Sequence, residues 1–313
     1  MNDRKPDFLV IGAQKSGTSW IWDKLRQHPG TDLPARKEIH YFGGVENYRQ
    51  GPDWYYAHFA GCDSARITGE ASTSYLYDRM PYWFNASDRI EYDEDLAPIP
   101  EVVHDDLPEA KIVAILRDPV YRAISAYRHW LKQRQFSPLS GLERAAVAHP
   151  KTRILEYGDY AQHLAPWIRV YGADRVLVLV FERDVARDPA AGLRRLYGFL
   201  GIDSRFTPPS MGRNVHRSWS WTRSAVSYYA GPLRKLVDGG RVGRWLDRAD
   251  FLGRFALRES DIRFLRDRYL PQKPALEALL GERLELWDYG ARLPGGEGPV
   301  VTEAAGDERG VTR

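Results

Sequence analysis

Short apolar segments alternate along this chain with longer amphipathic ones. Residues 8–11, 111–117 and 176–181 are apolar and rich in valine, leucine and isoleucine, and residues 67–70 form a weaker segment of the same kind. Short, continuously apolar runs are typical of strands buried on both faces of a parallel sheet. Because helix-like segments follow these runs, the pattern predicts an α/β fold with a central parallel sheet flanked by helices.

Aspartate followed by proline marks the start of two predicted helices. Asp118 and Asp188 each come shortly after a strong apolar run, and each precedes a proline. An aspartate cap with proline in the first helical turn is a common helix start. Further helices are predicted over residues 142–171, with a break near 157–160, and as a pair within 261–286.

Three stretches depart from this alternation. Residues 81–108 are rich in proline, acidic and aromatic residues, which indicates a surface insertion or lid. Residues 210–260 begin as a basic, aromatic loop and continue as arginine-rich amphipathic helices. We predict that these helices pack as a cap, and contact with a partner, an acceptor or a membrane surface is the alternative. Residues 294–313 are predicted to be a disordered tail, after a single domain over 1–293.

Composition narrows the class of protein. The chain has 313 residues, 43% of them hydrophobic, which is enough for a large core. Its net charge of +3 does not indicate a nucleic-acid partner, and one cysteine, Cys62, excludes an internal disulfide framework. No apolar run is long enough to span a membrane, and no signal peptide precedes the first predicted strand. We therefore expect a cytoplasmic protein with no nucleic-acid partner.

The loop after the first predicted strand has the composition of an anion-binding site. Residues 12–19 read GAQKSGTS, so two glycines, a lysine and three hydroxyl side chains fall within eight residues. Glycines let backbone N–H groups turn inward, and the following helix presents unpaired N–H groups at its positive end. The segment is P-loop-like, but Thr18 stands where a P-loop has its lysine, and the lysine is instead Lys15. We therefore expect a phosphate-like anion and no metal.

Two further pairs of polar residues are candidates for a functional site. Glu38 and His40 are two residues apart, so on an extended segment they share a face and suit proton transfer. The alternative is a solvated glutamate and a histidine bonded to backbone. Arg117 leaves the carboxyl end of a predicted strand, where open α/β sheets bind ligands, and Ser125 lies two turns into the next helix. These two suit a second phosphate, the alternative being an ion pair between Arg117 and Asp118.

Together these segments resemble the PAPS-dependent sulfotransferases over most of residues 7–289. The resemblance is nearest to the carbohydrate branch, which includes the heparan sulfate enzymes and bacterial relatives. The matching segments, in order, are GAQKSGTS, KEIHYF at 37–42, ILRDP followed by Ser125, and the helix that ends in FLG at 199–201. The resemblance implies sulfonyl transfer from 3′-phosphoadenosine 5′-phosphosulfate (PAPS) to a hydroxyl acceptor such as a carbohydrate, a lipid-linked glycan or a natural product, with release of PAP.

The resemblance also implies roles for single residues. Glu38 matches the general base of the carbohydrate branch, with His40 as the next candidate, and Lys15 would contact the bridging oxygen of the leaving phosphate. Residues 210–223 lack the disulfide-flanked Lys-Gly-Arg loop of the heparan sulfate enzymes, so two of the 3′-phosphate assignments have no motif to match. The implied donor-binding residues are Lys15, Ser16, Gly17, Thr18, Ser19, Trp20, Arg117, Ser125, and the two without a motif, Arg217 and Ser218.

Two other classes of protein stay open. A P-loop kinase or NTPase would need a lysine directly after Gly17 and an acidic magnesium ligand after a strand. A non-catalytic nucleotide-binding scaffold would use residues 225–260 as a docking surface.

Overall fold

The computed structural model describes residues 4–83, 89–211, 219–231, 234–238, 240–249, 257–291 and 293. Its strands are β1 (Phe8–Gly12), β2 (Gly69–Ala71), β3 (Pro81–Tyr82), β4 (Glu91–Tyr92), β5 (Lys111–Leu116) and β6 (Val176–Val180). Four of them form a parallel sheet in the order β2-β1-β5-β6, and β3 and β4 form a separate antiparallel hairpin. The predicted α/β fold with a central parallel sheet is confirmed.

The helices include those predicted after Asp118 and Asp188, within 142–171 and within 261–286, together with helices whose bounds were not predicted. They are α1 (Thr18–Gln27), α2 (Val45–Tyr48), α3 (Pro52–Ala57), α4 (Ile99–Asp106), α5 (Pro119–Lys132), α6 (Leu142–Ala148), α7 (Tyr160–Tyr171), α8 (Pro189–Leu200), α9 (Trp221–Tyr229), α10 (Arg234–Asp238), α11 (Gly240–Ala249), α12 (Glu259–Tyr269) and α13 (Lys273–Leu280). Both predicted Asp-Pro starts are present, at α5 and α8, and each aspartate accepts a hydrogen bond from a backbone N–H of its helix. A π-helical segment, Phe181–Arg187, follows β6.

Each face of the sheet is covered by helices. In β1, Phe8 and Val10 pack with α1 and α8, whereas Leu9 and Ile11 pack with α4, α5 and α7. Successive side chains of a strand point to opposite faces, so a strand between two helical layers must be apolar at every position. This is why the strands appear in the sequence as continuous apolar runs.

The order of the strands places two loops side by side. β1 comes first in the chain but lies inside the sheet, with β2 on one side and β5 on the other. The loop after β1 is tied to β5 because the N–H of Ala13 donates to the carbonyl oxygen of Ile115 at 2.8 Å. Open α/β sheets bind ligands at such a reversal of strand order, outside the carboxyl ends of the strands.

The structure of residues 81–108 differs from the surface insertion or lid that was predicted for them. α4 buries Ile99, Val102 and Val103 in the main core and contacts α7, while Glu101 lies on its outer side. The apolar stripe of this helix was hidden among prolines and acidic residues. The β3–β4 hairpin is the more exposed part, and there Tyr82 donates from its hydroxyl to Asp93 at 2.8 Å.

The helices described between residues 219 and 249 pack on one another, and α9 also packs on α5. Arg223 of α9 joins them, because its guanidinium donates to the Asp247 carboxylate at 2.7 Å and to the carbonyl oxygens of Val237 and Asp238 at 3.2 and 2.7 Å. Among the helices of the described ranges, none has the length and apolar character needed to cross a membrane.

Asp118 connects the start of α5 to the C-terminal part of the chain. Its carboxylate accepts from the N–H of Val120 at 3.0 Å and from the N–H of Tyr289 at 2.7 Å. Burial raises the pKa of Asp118 to about 7, although both N–H donors act to lower it. Glu182 strengthens the connection, because it accepts from the N–H of Asp118 at 3.1 Å and from the indole of Trp287 at 2.8 Å.

We predict that Asp118→Ala destabilises the fold more than Asp188→Ala does. The Asp188 carboxylate caps α8 through the N–H of Ala191 at 2.9 Å, but it is exposed and has no second partner among the described residues. Both changes remove a helix cap, at a cost of about 0.5–2 kcal/mol. Asp118→Ala also leaves the buried N–H of Tyr289 unpaired, at a further cost of about 1–3 kcal/mol. Urea unfolding of both variants measures the difference, and equal losses would show that the Tyr289 contact adds no stability.

Candidate functional site

Two glycines shape the loop between β1 and α1. Gly17 has a φ of 104°, and a Cβ atom there would lie 2.9 Å from Cδ2 of Phe181. Gly12 has a φ of 151°, and a Cβ atom there would lie 3.0 Å from Cβ of Leu76. Both positions therefore require a residue without a side chain, and the loop backbone can pass close to its neighbours.

Hydrogen-bond donors at the start of α1 are available to an anion. Ser16 Oγ is buried and has no hydrogen bond of good geometry with any described residue. α1 has no acidic residue in its first turn and no side-chain cap. Within residues 13–19, the backbone N–H groups that donate to no acceptor among the described residues are those of Gln14, Lys15, Gly17, Thr18 and Ser19. Unpaired N–H groups at a helix start carry partial positive charge and form an anion site.

Arg117 lies against this loop rather than in an ion pair with its neighbour. Its Nη1 donates to the carbonyl oxygen of Lys15 at 3.4 Å, and its guanidinium lies 5.0 Å from the ring centre of Phe181. Its buried Nε has no hydrogen-bond partner within the described part of the chain. The Asp118 carboxylate instead accepts the two backbone N–H groups described above. The guanidinium therefore has donor capacity left for a ligand.

Charges of both signs act on the Lys15 ammonium. Burial lowers the pKa of Lys15, and the charges of Arg117 and Lys132 lower it further, whereas the charge of Glu38 raises it. Burial likewise lowers the pKa of Arg117. The charges of Arg117, Lys132 and Glu38 therefore all act on the Lys15 ammonium. Removing cations from water is unfavourable, and a bound anion would offset that cost.

The structure describes two of the remaining predicted donor-site residues. Ser125 is partly exposed on α5, seven residues after the helix cap and thus on the same side as the start of the helix. Trp20 is partly exposed on α1, where Lys24 Nζ lies 5.7 Å from its ring centre. Arg217 and Ser218 lie outside the described residues, so their assignment stays a prediction.

The chain on each side of residues 212–218 is fixed to a helix. Lys24 Nζ, which is fully buried, donates to the carbonyl oxygen and the hydroxyl of Ser210 at 2.5 and 2.8 Å. The N–H of Ser220 donates to the Asp247 carboxylate at 2.9 Å. The two ends of the predicted basic loop are therefore attached to α1 and to α11.

Glu38 presents an ionised carboxylate to solvent. Lys37 Nζ donates to Oε1 of Glu38, and His40 Nε2 lies 3.8 Å from Oε2. Burial acts to raise the pKa of Glu38, but the neighbouring His40 ring and the Lys37 ammonium outweigh it and lower the pKa to about 2. The side chain is 41% exposed. The carboxylate is therefore ionised at neutral pH, as a proton acceptor must be, and its low pKa makes it a weak base in the absence of a ligand.

The backbone at Glu38 and His40 is not the extended segment assumed from the sequence. Glu38 has a φ of 63° and His40 a φ of 59°, so both residues are left-handed, and no strand is formed here. The two side chains nevertheless meet, for a different geometric reason than the predicted one. Left-handed conformations of non-glycine residues cost energy and persist where the surrounding structure fixes them.

His40 is held by two serines that follow β2. Ser74 Oγ lies 2.7 Å from His40 Nδ1, and Ser72 Oγ accepts the backbone N–H of His40 at 3.0 Å. Ser72 in turn donates to the fully buried Glu70 at 2.7 Å, and Glu70 also accepts from two buried tyrosine hydroxyls. Burial raises the pKa of Glu70, and these hydroxyl donors oppose the rise. The histidine therefore has a neighbour at each ring nitrogen, Ser74 at one and Glu38 at the other.

Comparison with known proteins identifies the family. Residues 5–220 match the sulfotransferase domain family. Bifunctional heparan sulfate N-deacetylase/N-sulfotransferase 2 of Bos taurus is 30% identical over 215 residues, which are 64% of this chain and 22% of that protein. Heparan sulfate glucosamine 3-O-sulfotransferase 3B1 of Mus musculus is 28% identical over 272 residues, which are 85% of this chain and 61% of that protein. A solved sulfotransferase from Alicyclobacillus acidocaldarius aligns with a TM-score of 0.63 and 25% identity, over 91% of this chain and 99% of that one.

The chain belongs to the sulfotransferase domain family. The matched residues include the loop after β1, Glu38, Arg117 and Ser125. The family and the enzyme class that the motifs predicted, a sulfotransferase, are confirmed. The chain spans about a fifth of the N-deacetylase/N-sulfotransferase relative and about three fifths of the 3-O-sulfotransferase relative.

Three residues that support the site were not predicted. They are Lys37, which belongs to the KEIHYF segment, and Ser72 and Ser74, which follow β2. A signal was present, because both serines follow the carboxyl end of β2, the edge at which open α/β sheets bind ligands. Their contact with His40 joins segments more than 30 residues apart, as the separations of 32 and 34 residues show, and no local pattern reports it.

Proposed function

We propose that this protein transfers a sulfonyl group from PAPS to a hydroxyl of an acceptor and releases PAP. The observation that supports it best is an accessible, ionised Glu38 whose charge acts on the partly buried Lys15 ammonium and raises its pKa. A proton acceptor and an anion-binding cation thus lie within electrostatic reach of each other. Attack of a hydroxyl group on an anionic donor needs this combination, together with precise positioning of the two reactants.

The residues of the loop fit a phosphosulfate group. The unpaired N–H groups, the buried Ser16 hydroxyl and Lys15 would hold its 5′ end, and Arg117 and Ser125 would hold the 3′-phosphate. PAPS, when bound, supplies the activated sulfonyl group. Lys15 and the loop N–H groups would stabilise the charge that grows on the leaving phosphate. A nearby phosphate also raises the pKa of Lys15 again, which keeps the ammonium protonated.

Glu38 is better placed than His40 to be the general base. Both ring nitrogens of His40 face a neighbour, Ser74 at Nδ1 and Glu38 at Nε2. His40 therefore orients the carboxylate of Glu38, while Ser72 and Ser74 orient His40. Glu38 is ionised and exposed, so it can accept the proton of the attacking hydroxyl, provided that the acceptor takes the place of Lys37.

The position of Lys15 supports a transfer reaction that needs no metal ion. Lys15 lies within the loop and not directly after Gly17, so the lysine–hydroxyl pair that holds magnesium in a P-loop is not at its usual place at the start of the helix. The described residues contain no group of three or more histidine, cysteine, aspartate or glutamate side chains arranged to hold a metal ion. Metal independence stays a prediction.

We predict that Glu38→Gln lowers the rate of sulfonyl transfer by about 10²–10⁴-fold, the usual contribution of a general base. The amide keeps the size of the side chain but cannot accept the proton. The assay measures transfer of labelled sulfonyl groups from PAPS to a panel of glycans, lipid-linked glycans and phenols, with PAP affinity measured in parallel. PAP affinity should stay unchanged. The control is Glu101→Gln, which alters a partly exposed glutamate of α4 that pairs with Arg169 of α7. A Glu38→Gln variant with most of its activity left would move the base elsewhere.

The pH profile separates Glu38 from His40. With a pKa of about 2, Glu38 is ionised across the range from about pH 5 to 8, so its protonation produces no loss of kcat/KM there. A loss of kcat/KM on the acid side of that range that disappears in His40→Asn would contradict this assignment and make His40 the base instead.

The acceptor is proposed to be a hydroxyl-bearing molecule, with carbohydrates first in the panel. Both curated relatives described above carry heparan sulfate in their names. The site supports this class only through its chemistry, since an ionised carboxylate beside an anion cradle serves any hydroxyl that can approach it. A scaffold without catalytic activity would bind PAP and transfer nothing to any member of the panel.

We also propose that α11 contacts an anionic membrane surface. Trp245 is 62% exposed, and Arg241 and Arg248 lie on the same side of the helix and make no ion pair within the described ranges. The acidic residue of the helix, Asp247, faces inward and pairs with Arg223 at 2.7 Å. An aromatic ring surrounded by arginines suits the boundary between lipid headgroups and acyl chains.

This surface lies near the proposed active site. Arg223 and Lys132 both contact the ring of Trp219, at 4.2 and 4.7 Å from its centre, and the charge of Lys132 reaches Lys15. A protein held at a membrane by α11 would therefore have its site close to the lipid surface. Acceptors attached to lipid would then be favoured.

We predict that the protein sediments with vesicles that contain phosphatidylglycerol and not with vesicles of phosphatidylcholine alone. Trp245→Ala should weaken this binding several-fold, because the indole would leave the interface. The matched control is Leu139→Ala, which removes an exposed apolar side chain from outside α11. If Trp245→Ala and the unaltered protein bind alike, or if neither binds, the helix only packs as a cap.

A further inference from the structure

A fully buried arginine with no role so far lies near the proposed base. Arg153 has no exposed side-chain surface, and its φ is 50°. Lys15, Glu38 and His40 are likewise non-glycine residues with positive φ. Strained backbone conformations concentrate at functional sites, where the surrounding structure holds them in place. Arg153 therefore shares an unfavourable conformation with three residues of the proposed site.

The Arg153 guanidinium is surrounded by aromatic rings instead of carboxylates. It lies 3.7 Å from the ring centre of Tyr77, 4.8 Å from that of Trp83 and 5.9 Å from that of Tyr157. Its three nitrogen atoms make no hydrogen bond of good geometry with any described residue. Burial raises the pKa of Tyr157, and the charge of Arg153 and a contact between the Arg153 side chain and the Tyr157 hydroxyl oppose the rise. The rings stabilise the cation over its faces, and the Tyr157 hydroxyl can accept from only part of its N–H groups.

Other buried arginines of the chain are bonded differently. Arg122 is also fully buried, and its Nε and Nη1 likewise have no partner among the described residues, but its Nη2 donates to the carbonyl oxygen of Ile154. Arg223 is paired with the Asp247 carboxylate and two carbonyl oxygens. A buried guanidinium with unpaired donors is unfavourable, since it has lost its hydration without gaining a partner. Such a group indicates a partner beyond those that the described residues provide.

The position of Arg153 limits what that partner is. The charge of Glu38 reaches Tyr157, which borders Arg153. The indole of Trp83 donates to the carbonyl oxygen of Gly43 at 2.8 Å, only three residues after His40. The aromatic rings around Arg153 thus adjoin the segment that carries the proposed base, on the acceptor side of the reaction.

We propose that Arg153 binds an anionic group of the acceptor, a carboxylate or a sulfate, while the reacting hydroxyl lies at Glu38. This rests on the proposed function, because it assumes that Glu38 faces the acceptor. Of the three described rings around Arg153, Trp83 alone is partly exposed. The anionic group therefore reaches the guanidinium by displacing the Trp83 indole. Acceptors that carry an acidic group near the reactive hydroxyl are then preferred over neutral analogues.

Nuclear magnetic resonance of the arginine Nε–H groups tests the anion site without knowledge of the acceptor. The probes are acetate and its neutral analogue acetamide, at constant ionic strength, each with and without PAP. The Arg153 signal is identified by its absence in Arg153→Lys. We expect acetate to shift this signal saturably and acetamide to leave it unchanged. The fully paired Arg223 serves as the internal control and should not respond to either probe.

Two results would overturn the proposal. One is an Arg153 signal that does not respond to acetate, and the other is an equal response to acetamide. PAP binding is read from the same samples and is judged separately. A protein that responds to acetate through Arg153 but does not bind PAP would keep the anion site and refute the PAPS assignment.

Thermal unfolding provides a second, independent test. If Arg153 is retained for binding, Arg153→Met should keep or raise the melting temperature, because it replaces an unpaired buried charge by an apolar side chain of similar length. If the guanidinium is instead a structural centre of the aromatic cluster, the same change should lower the melting temperature. A clear decrease would count against the proposal even if acetate shifts the Arg153 signal.

Discussion

The burial of positive charge at the carboxyl edge of the sheet is the constraint on which the site depends. Lys15 and Arg117 are partly shielded from water there, and this burial lowers the pKa of each. Cations in such positions are unfavourable unless an anion compensates them. Glu38 offsets part of this charge but is itself engaged by Lys37 and His40. An anionic donor is the group that would complete the arrangement.

The remainder of the fold holds these charges in place. Gly12 and Gly17 allow the loop to pass close to its neighbours, and the parallel sheet places this loop beside the end of β5. Asp118 binds the C-terminal part of the chain to the start of α5, directly after Arg117. A rigid surrounding of this kind keeps donors and cations oriented before a ligand arrives, which is how electrostatic stabilisation becomes effective.

The sheet and the anion loop could be predicted because their signals are local. Strands buried on both faces read as apolar runs, and the loop concentrates glycines and donors within eight residues. α4 was not predicted, because its few apolar residues can be recognised as a buried stripe only once they are seen packing in the same core as α7. The contacts of His40 with Ser72 and Ser74, and the aromatic rings around Arg153, join distant segments. Such contacts depend on the tertiary fold, and spacing along the chain does not reveal them.

The central claim is that the site formed by the loop after β1 and by Arg117 binds a nucleotide through its 3′-phosphate without a metal. Titration calorimetry of PAP against ADP, each with and without magnesium, tests it most directly. We expect PAP to bind more tightly than ADP by about tenfold or more, as one or two charge-assisted hydrogen bonds to the 3′-phosphate would give, and magnesium to have no effect. Preference for ADP, or affinity that requires magnesium, would contradict the account and favour a kinase or NTPase.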